Sequence, residues 1–211
     1  MNYQKPKHYS MAVVDIEQFG SRNNADQVWL RDRMYEILRK ATEAAGLDWS
    51  QCAREDRGDA VILLIPSHEA KQDIADGFVR YLNVELVRYA ARSAGTVRMR
   101  MRLALHFGEV GHDGNGWYGA DLNTACRLVE LPELKATLRE EVETSLVVIT
   151  SSQWFDAVVR HDPGSVDHRQ YRRISFKAKE LRDIAWIFVP GGISRVMAMT
   201  TPDEQDKQVA P

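Results

Sequence analysis

The sequence predicts an α+β sandwich built on a ferredoxin-like βαββαβ core. Three observations carry this. Short apolar runs alternate with longer amphipathic stretches along the chain. Two of those runs are separated only by the tight-turn signal Asp56-Arg57-Gly58-Asp59, which makes them a β-hairpin. A long helical pattern stands on each side of that hairpin, so strand, helix, hairpin, helix and strand follow one another in the order of the core.

Taken in order, residues 9–16 (YSMAVVDI) read as a buried strand. Residues 26–45 read as a helix, because Trp29, Met34, Ile37, Leu38 and Ala41 recur at helical spacing, and Gly46 supplies its stop. Residues 49–55 and 60–65 (AVILLI) are the hairpin strands. Residues 67–94 form a second helix, opened by a capping-box-like Ser67-His68-Glu69 and closed by Gly95. From Val97 to Phe107 the residues alternate, with Val97, Met99, Met101, Leu103 and Leu105 on one side. Arg98, Arg100 and Arg102 fall on the other, which reads as a solvated face. Residues 108–119 are a Gly-rich loop or short hairpin. Residues 120–131 form a helix, continued by 133–141 after Pro132. Residues 145–150 are a strand, 151–161 a capped helix, and 171–176 with 184–189 a final strand pair. No internal repeat is present.

The chain has 211 residues, 44% hydrophobic and 27% charged, which suits one globular domain with a core of its own. The expected layout is a short extension over 1–8, one main domain over 9–192, and a polar, flexible tail over 193–211. A formal net charge of −2 provides no broad basic field, so nucleic acid is not an expected partner. Any anionic ligand must be held by local charges. Cys52 and Cys126 form neither a disulfide framework nor a zinc-ligand pair. The N-terminus lacks an apolar signal core and no run approaches a membrane span, so a cytoplasmic protein is expected.

The chemistry rests on carboxylates at strand ends. Asp15 ends the first buried strand, where an unpaired carboxylate is costly. Asp59 sits at the hairpin tip, before the apolar run of the second hairpin strand. Either alone reads equally well as a cap or a turn former. In a βαββ arrangement, however, the first strand lies beside the hairpin, and the two carboxylates converge. They would repel unless cations bridged them. Oxygen-only ligands favour two divalent cations, Mg²⁺ or Mn²⁺, completed by substrate phosphates. Farther along, Asn123 and Arg127 are four apart and share a helix face. An amide and a guanidinium placed so can orient a ribose and neutralise a phosphate.

Four motifs then occur in sequence: Asp15-Ile16-x-x-Phe19-Gly20, Arg57-Gly58-Asp59, His106-x-Gly108-Glu109-Val110, and Tyr118-Gly119-x-x-x-Asn123-x-x-x-Arg127-Leu128. In order and spacing they resemble the class III nucleotidyl cyclases, over roughly residues 9–190. The resemblance implies a head-to-tail homodimer with composite active sites between protomers. It implies Asp15, Asp59 and the Ile16 backbone carbonyl as metal ligands. It assigns Asn123 to the ribose and Arg127 to the reacting phosphate, both from the partner chain. Phe19, Gly20 and Lys177 fall at its phosphate-binding positions, with Lys179 a second choice for the lysine.

The base-reading positions of that family align with Glu55 and Gly116. Glu55 can accept from guanine, or from uracil N3–H or the cytosine amine; Gly116 reads nothing. Arg57 stands where an apolar residue normally meets the base. It could fill space a purine needs and donate to a pyrimidine oxygen, or simply face water. The segments Gly114-Asn115-Gly116-Trp117-Tyr118-Gly119 and Leu131-Pro132-Glu133-Leu134 further resemble the pyrimidine cyclases of bacterial Pycsar antiphage systems. That likeness implies UTP, or else CTP, as the substrate, and a cyclic nucleotide messenger (cUMP or cCMP) that activates a separate effector. A guanylate or adenylate cyclase is the alternative substrate class. A degenerate cyclase-like binding domain is the alternative without turnover. An RNA-binding module would need aromatic residues beside the strand arginines, and these are missing.

Overall fold

The computed structural model describes residues 5–93, 95–161, 167–178 and 181–191. The first four residues, Lys179 and the expected tail lie outside them. Eight strands form the sheet: β1 (Lys7–Ile16), β2 (Ala53–Asp56), β3 (Ala60–Pro66), β4 (Met101–His112), β5 (Trp117–Tyr118), β6 (Leu146–Ser151), β7 (Arg172–Ala178) and β8 (Leu181–Phe188). The helices are α1 (Asn24–Ala44), α2 (Val79–Ala90), α3 (Ala120–Val129), α4 (Pro132–Glu140) and the short α5 (Ser152–Trp154). Strand order is β2-β3-β1-β4-β6-β8-β7, with β5 pairing the end of β4. The first four strands in that order are the ferredoxin-like core predicted.

Helices cover both faces of the sheet, which explains the nearly continuous apolar strands. In β3, Val61, Leu63 and Ile65 join one cluster with Leu30, Met34 and Leu38 of α1 and Leu82 and Leu86 of α2. Ile62 and Leu64 point the other way, into a second cluster with Leu122, Ala125 and Leu128 of α3 and Leu134 and Leu138 of α4. A strand buried on both faces has no polar side to alternate with.

Local signals set most boundaries. Asn23 caps α1, its side chain accepting from the Asp26 N–H at 2.9 Å. At the other end Gly46 takes φ 80°, while its N–H donates to Glu43 O and that of Leu47 to Thr42 O, both at 3.1 Å. That is a Schellman stop, and it needs the left-handed conformation glycine adopts without strain.

Four expectations are corrected. Trp29 is half exposed and Leu30 takes its place in the core; the Trp29 indole donates to the Tyr89 hydroxyl at 3.3 Å. Ser67 opens no helix: residues 67–69 form a turn after β3, and a π-helical segment over Asp73–Phe78 leads into α2. The first hairpin strand starts at Ala53, because residues 49–52 turn. Strand β4 starts at Met101 rather than Val97, since Gly95–Val97 forms a 3₁₀ turn and the ladder begins where Met101 N–H meets Ser145 O at 2.8 Å.

Candidate active site

The end of β1 and the hairpin turn lie side by side. Antiparallel pairing sets Asp15 opposite Ala60 of β3 and opposite Arg102 of β4. The Ile16 N–H donates to the Asp59 carbonyl at 2.9 Å, joining the strand end to the turn. In a strand, one residue's N–H and C=O point to the same side, so the Ile16 carbonyl also faces the turn. Gly58 takes φ 86°, and its N–H donates to Asp56 Oδ1 at 2.8 Å. This turn presents Asp59 to solvent, while Asp15 is buried.

Arg102 is the residue sequence reasoning missed. It is buried, not solvated, and its guanidinium donates to Asp15 Oδ1. Its Nε is buried without a partner. Arg100 is likewise tucked in, paired with Glu17 at 3.2 Å and donating to the carbonyls of Leu138, Glu141 and Thr144. The helical layer of α3 and α4 covers this face of the sheet, so these arginines meet carboxylates and helix-end carbonyls instead of water. An arginine at every second place on an otherwise apolar strand was the available signal.

Burial pushes the Asp15 carboxyl up to about 6; Arg102 opposes this, and Glu130 and Asp59 add to it. Keeping this buried carboxylate ionised thus carries a desolvation cost that Arg102 offsets only in part. Cations would relieve it, and the oxygen-only donors Asp15, Asp59 and the Ile16 carbonyl fit Mg²⁺ or Mn²⁺. No group of three or more His, Cys, Asp or Glu side chains able to hold a metal occurs among the described residues. Further ligands would therefore come from backbone, water and substrate phosphates.

The base-position candidates bind each other. Arg57 pairs with Glu55 Oε1 at 2.7 Å, whereas Glu55 Oε2 is buried without a hydrogen-bond partner. Burial raises the pKa of the half-buried Cys126 thiol on α3; nearby Arg57 opposes this, and Glu55 and Glu130 reinforce it. Leu122, Ala125 and Leu128 of α3 share one apolar cluster with Ile62 and Leu64 of β3. Gly116 lies in the β4–β5 connection, where its N–H donates to Asp113 Oδ1 at 3.0 Å.

A clamp at the β4–α3 junction orients α3. Asp121 Oδ2 accepts from the Glu109 N–H at 2.7 Å, and its other oxygen lies 3.7 Å from His106 Nε2. His106 Nδ1 and Ser151 Oγ share a 2.8 Å hydrogen bond. Desolvation holds the His106 pKa below its usual value, with Asp121 opposing. Gly108 makes room for the clamp: a Cβ there would fall 2.5 Å from Asp121 Cβ and closer still to its carboxylate. With Leu122, Ala125, Leu128 and Val129 turned to the core, Asn123 is exposed and Arg127 half-buried.

The phosphate-position residues separate into two groups. Phe19 and Gly20 lie in a 3₁₀ turn directly after β1, entered through Gln18 at φ 54°. Gln18 is the one non-glycine residue with positive φ among those described, and strained backbone of this kind clusters at functional sites. Lys177 is exposed on β7, at the far edge of the sheet. Four strand spacings separate β7 from β1, about 19 Å, farther than a lysine extends. Within one chain Lys177 does not meet Asp15.

No family model matches the sequence, and no curated protein does. Solved structures match over nearly their whole length. The guanylyl cyclase Cya2 superposes with a TM-score of 0.61 at 17% identity, covering 92% of this chain and 99% of that one. An adenylate/guanylate cyclase/hydrolase from Silicibacter pomeroyi gives 0.61 at 15% identity, covering 90% and 99%. The guanylate cyclase domain of RhGC from Catenaria anguillulae, in complex with GTP, gives 0.57 at 14%, covering 88% and 97%. The fold is therefore that of nucleotide-cyclase catalytic domains. No helix among the described residues is long and apolar enough to cross a membrane.

Proposed function

We propose that this chain is a nucleotide cyclase that closes a nucleoside triphosphate into its 3′,5′-cyclic monophosphate. The observation that carries the reading is the convergence of Asp15 and Asp59 at one sheet end, in a fold shared with cyclase domains. The ribose 3′-hydroxyl gives up its proton, its oxygen bonds to the α-phosphorus, and the bond to the bridging oxygen breaks to release pyrophosphate. Positioning and electrostatics do most of the work in such a transfer. Asp15, Asp59 and the Ile16 carbonyl would hold two divalent cations, which when bound activate the attacking oxygen and stabilise the leaving group. Arg102, already at Asp15, is placed to neutralise phosphate charge as well. Phe19 and Gly20 would meet phosphates through their backbone.

Asn123 orients the ribose and Arg127 neutralises charge on the reacting phosphate, each contributed to the site of a second copy. Lys177 would then have to come from a partner's β7 edge, since within one chain it stands four strands from β1. The working unit is thus a head-to-tail homodimer. Asp59→Ala tests the carboxylate assignment cleanly, since Asp59 is exposed and its loss leaves the core intact. Turnover should fall at least ~10²–10³-fold; activity at the wild-type level removes the metal role.

The substrate we favour is a pyrimidine triphosphate, UTP ahead of CTP. The Arg57–Glu55 ion pair supports this: a guanidinium held at Glu55 could fill space a purine needs and offer donors to pyrimidine oxygens. The unpartnered Glu55 Oε2 favours a second reading, a guanylate cyclase, because guanine N1–H and its amine would satisfy it. Product analysis after incubation with equimolar UTP, CTP, GTP and ATP and Mn²⁺ separates the two. Cyclic UMP should dominate; predominant cyclic GMP decides for the second reading, and no cyclic product sinks both. The likeness to pyrimidine cyclases of antiphage systems supports a messenger that acts through a separate effector. Phage challenge of cells carrying wild type or Asp59→Ala checks that role.

A further inference from the structure

Next to the carboxylate site the chain forms a second cleft, of about 630 Å³. It is walled by the β1–α1 connection, the segment leading into β4, and Arg139 near the end of α4. Asp15, Asp59 and Arg102 do not line it. Four guanidiniums do, those of Arg22, Arg98, Arg100 and Arg139, against only two carboxylates, Glu17 and Asp26.

The two acids are engaged. Glu17 pairs with Arg100, and Asp26 accepts from the Asn23 amide at 2.9 Å. Arg100 is further occupied by the backbone carbonyls after α4. The remaining arginines keep donors in hand. Among the described residues the Arg98 guanidinium makes one hydrogen bond, to Val142 O at 3.1 Å. The Arg139 side chain makes no hydrogen bond or ion pair among the described residues. Arg22 donates to the Thr96 carbonyl and, at 3.4 Å, to that of Glu17, while its Nε–H is buried without an acceptor. A buried donor with no partner is unfavourable, and like charges held around one cleft repel. An anion in the cleft relieves that repulsion.

We propose that this cleft binds a linear polyphosphate, with pyrophosphate the smallest member, at a site separate from that of the substrate. The cleft has the volume of a small-ligand site. Guanidiniums on three separate segments suit an anion with oxygens spread over linked phosphates, since each fork pairs two oxygens. The proposal stands without the cyclase reading. Were that reading right, the anion would rest against the segment that carries Phe19 and Gly20, and the reaction would itself produce such an anion.

The test is calorimetric titration of the full chain with pyrophosphate, in chelator without divalent cations, at about physiological salt. Wild type should bind one pyrophosphate per chain. Arg98→Glu with Arg139→Glu should weaken binding at least about tenfold, as loss of even one charged hydrogen bond allows. Asp59→Ala should bind like wild type. Should the double charge reversal perturb the circular dichroism spectrum, Arg98→Gln with Arg139→Gln replaces it, with weakening again expected. No binding by wild type overturns the proposal. So does unchanged affinity in the folded double variant, or sulfate binding as tightly as pyrophosphate.

Discussion

Substituting Gly108 by alanine probes the geometry that aims α3. The new Cβ would lie 2.5 Å from Asp121 Cβ and closer to the carboxylate, so Asp121 must leave its place. Its 2.7 Å bond from the Glu109 N–H is then lost. A hydrogen bond to a charged group contributes ~1.5–3 kcal/mol, and forcing atoms into a filled junction costs ~1–3 kcal/mol. Asp121 is 38% exposed, so water offsets part of the loss. A net destabilisation of about 2–4 kcal/mol is expected, read as a lower urea midpoint at unchanged slope. The decisive measurement is a double-mutant cycle. In an Asp121→Gly background both the carboxylate and its Cβ are gone, and Gly108→Ala should cost at least ~1.5 kcal/mol less. If its cost is the same in both backgrounds, the wedged carboxylate is not what Gly108 accommodates. Because α3 carries Asn123 and Arg127, turnover of Gly108→Ala should fall about a hundredfold, with KM changed far less.

Arg102→Ala leaves Asp15 buried without its guanidinium. A loss of ~3–5 kcal/mol is expected from chemical denaturation, and Arg102→Met combined with Asp15→Leu should recover much of it. A double variant no more stable than the single one would show that the pair's charges do not set the cost. His106 makes a pH prediction. Its folded-state pKa is lowered by desolvation, so below about 6.5 the unfolded chain takes up a proton that the folded chain resists. This contribution to stability is present at neutral pH and lost on acidification, with a slope of at most ~1.4 kcal/mol per pH unit. The stability difference between wild type and His106→Gln should therefore shrink as pH falls from 7 toward 5; a constant difference refutes it.

The amino-acid order alone determined the succession of strands and helices, the hairpin, and the meeting of Asp15 with Asp59. These follow from signals within a few residues: the period of the apolar positions, a Gly at a turn, a carboxylate at a strand end. The four motifs were legible for the same reason, because spacing along the chain survives in the fold. Tertiary structure decided which layer each side chain meets. Arg100 and Arg102 alternate like a solvated face, yet α3 and α4 cover that side of the sheet and turn both inward, one onto Glu17 and one onto Asp15. Trp29 has the right helical phase but yields the core to Leu30. The clamp of Asp121 on Glu109 and His106, and the distance of Lys177 from β1, depend on strand order and register. No local pattern encodes these, since they arise only when distant segments pack together.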